Sequence, residues 1–199
     1  MSRVNELDRV ITAFTKLPII GSKTALRLGI WLIGKHALIQ ELIDALEALK
    51  NARTCSSCNA PSSGNVCEIC SDSSRDQTIL CVVEKYTDIL NIERTKTYAG
   101  LYFCLGSLWF PSRGVHKEHL PLDKLKSRIL DLKPHEVILA LPFTLQGDVT
   151  ASLLAKILKE SITDVKITRP ARGLPKGAEI DQADDYSLSY ALKHRYKDE

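Results

Sequence analysis

Apolar residues recur at helical spacing through the first quarter of the chain. Val4, Leu7, Val10, Ile11 and Phe14 fall three or four apart and predict one face of a first helix. Pro18 in the segment Leu17 to Gly21 cannot continue it. Ser22 is a fair N-cap for a second helix over Lys23 to Ile33, and Gly34 closes that helix as a C′ residue. A third helix is expected from about Ala37 to Asn51, with Leu38, Leu42, Ile43, Leu46 and Leu49 inward. From Thr54 to Asp76 the apolar pattern stops, and Ser, Asn, Gly and Cys dominate. About 20 residues of that composition bury no core of their own and need a staple.

From residue 77 the pattern changes period. Ile79 to Val83, Leu101 to Leu105, Glu136 to Leu141 and Val165 to Thr168 read as strands. Thr87 to Arg94, Leu122 to Leu132 and Val149 to Lys159 read as helices between them. Strand–helix alternation predicts a parallel sheet covered by helices. A polar tail with a Gly/Pro turn (RGLPKGAE) leads to a last helical piece, Ser187 to Arg195. The expected organisation is therefore a multi-part α/β chain. It comprises a helical hairpin (1–53), a cysteine loop (54–76), a parallel α/β domain (77–170) and a C-terminal extension (171–199).

Composition narrows the class. The 199 residues are 44% hydrophobic and 26% charged, which is a folded chain. A net charge of +3 excludes binding nucleic acid by bulk charge but permits a local basic patch. The charged N-terminus lacks a signal-peptide pattern, and no run of about 18 apolar residues occurs. The expectation is a cytoplasmic protein in no contact with a membrane, where thiols stay reduced.

Four of the six cysteines form Cys55-x-x-Cys58 and, after eight residues, Cys67-x-x-Cys70. Paired knuckles can present four thiolates to one tetrahedral Zn²⁺, with sulfurs about 2.3 Å from the ion. Such a site is closed, so its role is structural. The alternatives are two disulfides or free thiols. Cys81 and Cys104, within apolar strands, read as buried small residues.

Charge is unevenly placed. Arg9, Lys16, Lys23, Arg27 and Lys35 occupy an interval without an acid, between Asp8 and Glu41. Lys23 and Arg27 are four apart and share a helix face. A helix, a tight turn holding Gly21 and a second helix make a helix–hairpin–helix candidate, which would aim backbone N–H groups at a phosphate. The alternative is an ordinary hairpin with a solvated basic face. Lys166, Arg169, Arg172 and Lys176 make a second basic stretch, either a phosphate contact or a solvated loop. Glu84 and Asp148 follow strands, where carboxylates converge at a sheet crevice. A Mg²⁺-dependent phosphoryl-transfer site would want more acids than these two, and Gln146 beside them is neutral.

In this order the parts resemble the RecR family of bacterial recombination-repair proteins, as a divergent member. The pieces are LP-x-x-G-x-K-x-A-x-R (Leu17 to Arg27), the four cysteines, CVVE-x-x-x-DI (Cys81 to Ile89), T-x-x-G-x-x-T (Thr144 to Thr150) and G-x-P-x-G-x-E (Gly173 to Glu179). The resemblance implies a Toprim α/β domain and a non-catalytic accessory factor. It implies a ring-shaped clamp, typically a tetramer, that encircles single- or double-stranded DNA without reading sequence. It implies action with RecO, and in many bacteria RecF, to load RecA onto single strands. It places Lys23 and Arg27 at the DNA-contacting positions, with Lys16 and Lys35 beside them, and gives the C-terminal segment a role in subunit exchange. It gives the cysteines one structural Zn²⁺ per chain, and makes Glu84 and Asp148 Toprim acids for partner docking or a vestigial metal.

Three segments depart from the family pattern. Ile19 stands where the hairpin turn carries a glycine, which shifts phosphate contact toward Lys23 and Arg27. Gln146 and Asp148 stand where two glutamates flank the glycine. The loop after Gly106 presents Trp109 and Phe110, either for a partner or base stacking or as a packed loop. Two other readings compete with the mediator. One is a Toprim-type Mg²⁺-dependent nuclease or primase-like enzyme, and the other a zinc-stabilised interaction module that never touches DNA.

Overall fold

The computed structural model describes residues 5–162 and 165–195. Val4, assigned above to the first helix, lies outside them. The chain divides into two compact units, Met1–Ala52 and Arg53–Glu199.

The first unit holds α1 (Asn5–Phe14), α2 (Ser22–Leu32) and α3 (His36–Leu49). Helices α1 and α2 meet at Gly29, where an added Cβ would stand 2.7 Å from Leu7 Cδ1. Glycine in mid-helix costs about 1 kcal/mol of propensity, and here that cost permits the close approach. The N-cap of α2 is Gly21, not Ser22: Gly21 is extended and its carbonyl accepts the Ala25 N–H at 2.9 Å. Gly34 takes the expected left-handed conformation, with φ 80°. Of the inward face assigned to α3, Leu38 is half-buried and the other four residues are not inward. Leu42, Ile43, Leu46 and Leu49 are exposed, because three short helices enclose little volume and only Ala25 and Gly29 are buried among the described residues of this unit.

The second unit opens with β1 (Arg53–Thr54) and β2 (Pro61–Ser62), an antiparallel pair, then α4 (Glu68–Ser71). There follow β3 (Asp76–Val83), α5 (Tyr86–Thr95), β4 (Gly100–Cys104), α6 (Leu122–Leu132), β5 (Glu136–Ala140), α7 (Leu145–Ser161), β6 (Lys166–Thr168) and α8 (Asp185–Lys193). The sheet is wholly parallel with order β4-β3-β5-β6. Helix α7 begins four residues before the expected Val149. The Thr144 side chain caps it by accepting the Gly147 N–H at 3.2 Å, so Gly147 sits inside the first turn.

Alternation along the strands sends buried residues to both faces. Leu80, Val82, Leu101, Phe103, Val137 and Leu139 pack with α6 and α7 through Leu125, Ile129, Leu154 and Leu158. Cys81, Val83, Tyr102 and Cys104 face the other way and pack with Ile89 of α5 and with Cys55, Cys58 and Ala60. The cysteine loop is thus part of the cover over the second face of the sheet.

A partly buried ion pair ties the end of that loop to α5. Arg75 donates from Nη1 to Glu93 Oε1 at 2.9 Å and to the Gly100 carbonyl at 3.2 Å, and from Nη2 to Glu93 Oε2. Tyr102 donates to Glu93 Oε1 at 2.6 Å. The Arg75 bonds hold the Glu93 carboxyl below the usual carboxylate range. This stabilisation is complete above the ordinary glutamate pKa of about 4.3 and is lost as pH falls through the lower folded value. Glu93→Gln is expected to cost about 1–3 kcal/mol at pH 7. In urea denaturation the gap between variant and parent should narrow on acidification.

Candidate metal centre, sheet crevice and basic hairpin

Three features carry candidate chemistry. The first is the cysteine cluster. Cys55 and Cys58 flank the β1–β2 turn, where Cys55 N–H donates to the Ala60 carbonyl at 2.7 Å and Asn59 takes a left-handed φ of 61°. Cys67 caps α4 and Cys70 lies within it. The four sulfurs lie within 4.8 Å of one another, with Cys58 Sγ and Cys67 Sγ 3.6 Å apart. All four are free thiols. A tetrahedral ion about 2.3 Å from each sulfur separates the sulfurs by about 3.8 Å, so the donor set fits one such ion. Burial raises the Cys55 thiol, but N–H groups of Cys67, Cys58 and Ser57 outweigh it and lower it to about 6. Burial pushes Cys67 up to about 11, and the hydrogen bond with Cys70 together with burial raises Cys58. Thiols this close suppress one another's ionisation unless a cation joins them.

The loop is also docked on the sheet. Cys104 N–H donates to the Cys58 carbonyl at 2.8 Å, and Asn59 Nδ2 donates to the Cys104 carbonyl at 3.0 Å. Cys81 and Cys104 are the buried strand residues expected; burial pushes Cys81 up to about 12.

The second feature is the crevice at the carboxyl ends of the strands. Strands β4 and β5 lie on opposite sides of β3, which makes a switch point of the kind where open parallel sheets bind ligands. Glu84, directly after β3, lines a cavity of about 360 Å³ there with Gly106, Ser107, Leu108, Phe110 and Gln146. Its carboxylate is 3.4 Å from Lys85 Nζ. Asp148 does not line this cavity. It accepts from Arg169 Nη1 at 2.7 Å and from Arg172 Nη2, so the two Toprim acids predicted from sequence are not brought together. Partial burial opposes the Asp148 charge, but Arg169 and Arg172 prevail and keep it below the usual range.

The same contacts revise the reading of the Lys166–Lys176 stretch. Arg172 also donates to the Tyr186 hydroxyl of α8 and lies 4.7 Å from the Phe143 ring centroid. Three of that stretch's four cations are paired inside the unit, since Lys166 Nζ also lies 3.8 Å from Glu136 Oε1. Trp109 and Phe110 are half-buried rather than presented, and Trp109 N–H donates to the buried Thr150 Oγ1 at 3.0 Å. The packed-loop alternative holds.

The third feature is the basic hairpin. Lys16, Lys23 and Arg27 are exposed. Lys35 is half-buried, with Nζ 3.2 Å from the Trp31 ring centroid, so it is partly committed to a cation–π contact. Ile19 keeps φ at +71° with a fully exposed side chain, a conformation that burdens a β-branched residue by about 1–2 kcal/mol. The turn therefore retains the left-handed geometry of a glycine position, with a bulky side chain standing out from it.

Sequence reasoning missed Arg75, Glu93, Arg128 and the pairing of Asp148 with Arg169 and Arg172. In sequence Gly147 is only a motif position, yet a Cβ there would meet the Pro142 carbonyl oxygen at 1.9 Å. Gly147→Ala is expected to destabilise this unit by about 1–3 kcal/mol through that clash, measurable by thermal denaturation.

Comparison with known proteins places these features in one family. The Toprim domain family matches residues 78–171, the span from β3 to the segment after β6. Recombination protein RecR of Bifidobacterium adolescentis is 40% identical over 196 residues, covering 95% of this chain and 94% of the relative. Recombination protein RecR of Thermus thermophilus is 39% identical, covering 95% of each. That of Chloroflexus aurantiacus is 41% identical over 94% of this chain and 92% of the relative. The chain belongs to the RecR family of recombination proteins.

Proposed function

We propose that this protein is a DNA-binding accessory factor of recombinational repair with no chemistry of its own. It acts as a homo-oligomeric, ring-like clamp, a tetramer, on single- and double-stranded DNA without sequence preference. With RecO, and RecF where present, it helps load RecA onto single-stranded DNA in the cytoplasm. The observation that carries this reading is the exposed Lys23–Arg27 pair in the acid-free interval between Asp8 and Glu41, in a chain of this family. Repetition of a modest patch around a ring supplies affinity that +3 per chain does not. The uncovered Leu42, Ile43, Leu46 and Leu49 face of α3 supports assembly, since monomers seldom leave such faces bare.

A phosphoryl-transfer enzyme is disfavoured by the donor set. Among the described residues the four cysteines are the one group of three or more potential metal ligands. The crevice offers Glu84 beside the neutral Gln146, and Asp148 is neutralised by arginines. No described helix is long and apolar enough to cross a membrane.

The ion at the cysteines is read as one structural Zn²⁺ per chain, held by Cys55, Cys58, Cys67 and Cys70. When bound it neutralises thiolate charge and closes the loop; the chain itself docks that loop on the sheet. Chelation or Cys67→Ser is expected to lower the melting temperature by roughly 10 °C. Elemental analysis should find one zinc per chain.

Lys23→Glu/Arg27→Glu should weaken DNA binding about tenfold or more at low salt, for every sequence alike. The salt slope should flatten by about 2 per engaged subunit. Unchanged affinity in fluorescence anisotropy would favour an interaction module that does not touch DNA. The same protein incubated with Mg²⁺ should leave DNA intact; cleavage lost on Glu84→Gln would overturn the non-enzymatic reading.

A further inference from the structure

Helix α6 touches two different parts of the unit. Leu125 and Ile129 are buried in the main core. Arg128, one residue before Ile129, reaches the cysteine loop instead. Its Nη2 donates to Cys70 Sγ at 3.6 Å, within range for a sulfur acceptor, while its Nε is buried without a partner. One turn earlier, Lys124 Nζ is 3.4 Å from Asn59 Oδ1, beside Cys58. Acids are near: Asp123 and Asp131 share the surface cavity that Arg128 and Lys124 line. Yet among the described residues Arg128 forms no ion pair with either of them. The guanidinium is turned toward sulfur.

Electrostatics gives that contact a purpose. Four thiolates and one divalent cation leave two negative charges in a partly buried place. Cys55 Sγ accepts the Cys67 N–H at 3.3 Å, and among the described residues Arg128 is the cation that hydrogen-bonds a cysteine sulfur. Donation to a metal-bound thiolate draws electron density from it, which makes it harder to protonate, oxidise or strip from the ion. A planar guanidinium holds such a bond with less motion than a lysine ammonium.

We propose that Arg128 is a positioning residue of the four-thiolate centre: from α6 it donates to Cys70, offsets the excess negative charge and slows loss of the ion. This rests on the metal reading above. The consequence is that metal retention is governed in part by a helix of the Toprim core rather than by the cysteine loop alone.

The test uses the full-length, zinc-loaded protein with Arg128→Met and Arg128→Lys. Zinc transfer to a chromogenic chelator is followed at fixed pH, and the sulfur-to-metal charge-transfer band is recorded after cobalt substitution. Arg128→Met is expected to release zinc about tenfold faster while still binding one ion, with a shifted cobalt band. Arg128→Lys should recover most of the parental rate. Equal rates and an unmoved band in a folded Arg128→Met protein would overturn the proposal. If that variant does not fold, the parent protein loaded with cadmium-113 decides: a metal–guanidinium proton correlation is expected at low temperature, and its absence overturns the proposal. Failure of the metal reading looks different, because the parent protein would then contain no stoichiometric ion.

Discussion

A parallel sheet must be covered on both faces, because its strands are buried and apolar on both. That constraint organises the second unit. Helices α6 and α7 cover one face of the four strands with ordinary apolar packing. On the other face, among the described residues, α5 contributes the buried Ile89, and the short α4 of the cysteine loop packs Ile69 and Cys70 against the same cluster. The rest of the cover is the cysteine loop, a segment too polar to hold a shape by burial. Its four clustered thiols, its backbone bonds to Cys104 and the Arg75–Glu93 pair substitute for the missing helix. The cysteine cluster is therefore also a packing element: Cys55 and Cys58 are buried in the same cluster as Tyr102 and Val83, with Cys67 and Cys70 packed against it.

The crevice is shaped by the same economy of parts. The sheet order places a ligand-type crevice after β3 and β5, and the fold keeps Glu84 there. Asp148, however, lies in the first turn of a helix that Gly147 lets approach Pro142, and it is turned to Arg169 and Arg172. Arg172 carries the contact onward to Phe143 and Tyr186, so the C-terminal segment is tied to α7 through a carboxylate. An acid that holds two arginines is a structural joint, and a lone Glu84 is a poor cradle for a divalent ion. The exposed cations with no acid in the surrounding sequence are instead those of the hairpin, Lys23 and Arg27.

Much of this was legible in the residue order because it is local. Helical spacing in Leu7 to Phe14, paired Cys-x-x-Cys knuckles and β-rich runs each describe interactions a few residues apart. They correctly anticipated three helices, a four-cysteine cluster and a parallel sheet. The failures share a cause. Leu42 and Leu46 were read as inward because apolar spacing reports which side of a helix is apolar, not whether anything covers it. Trp109 and Phe110 admit two readings in sequence, a partner or stacking surface and a packed loop, because a loop's sequence says nothing of Thr150, 41 residues on, which accepts the Trp109 N–H. Helix α7 starts at Leu145, ahead of Val149, because the Thr144 side chain caps it by accepting the Gly147 N–H.

By itself the sequence determined the kinds of parts: a basic hairpin, a four-thiol staple, a parallel α/β core and a polar tail. Periodicity, charge and ligand spacing are short-range properties, and short-range physics writes them directly into residue order. Only the tertiary structure decided how those parts are spent. It set the staple against the sheet, paired Asp148 with arginines 21 and 24 residues away, and brought Arg128 to Cys70 across 58 residues. These partnerships depend on which strand ends and helix faces the chain brings together, and no pattern within a window of sequence carries that information.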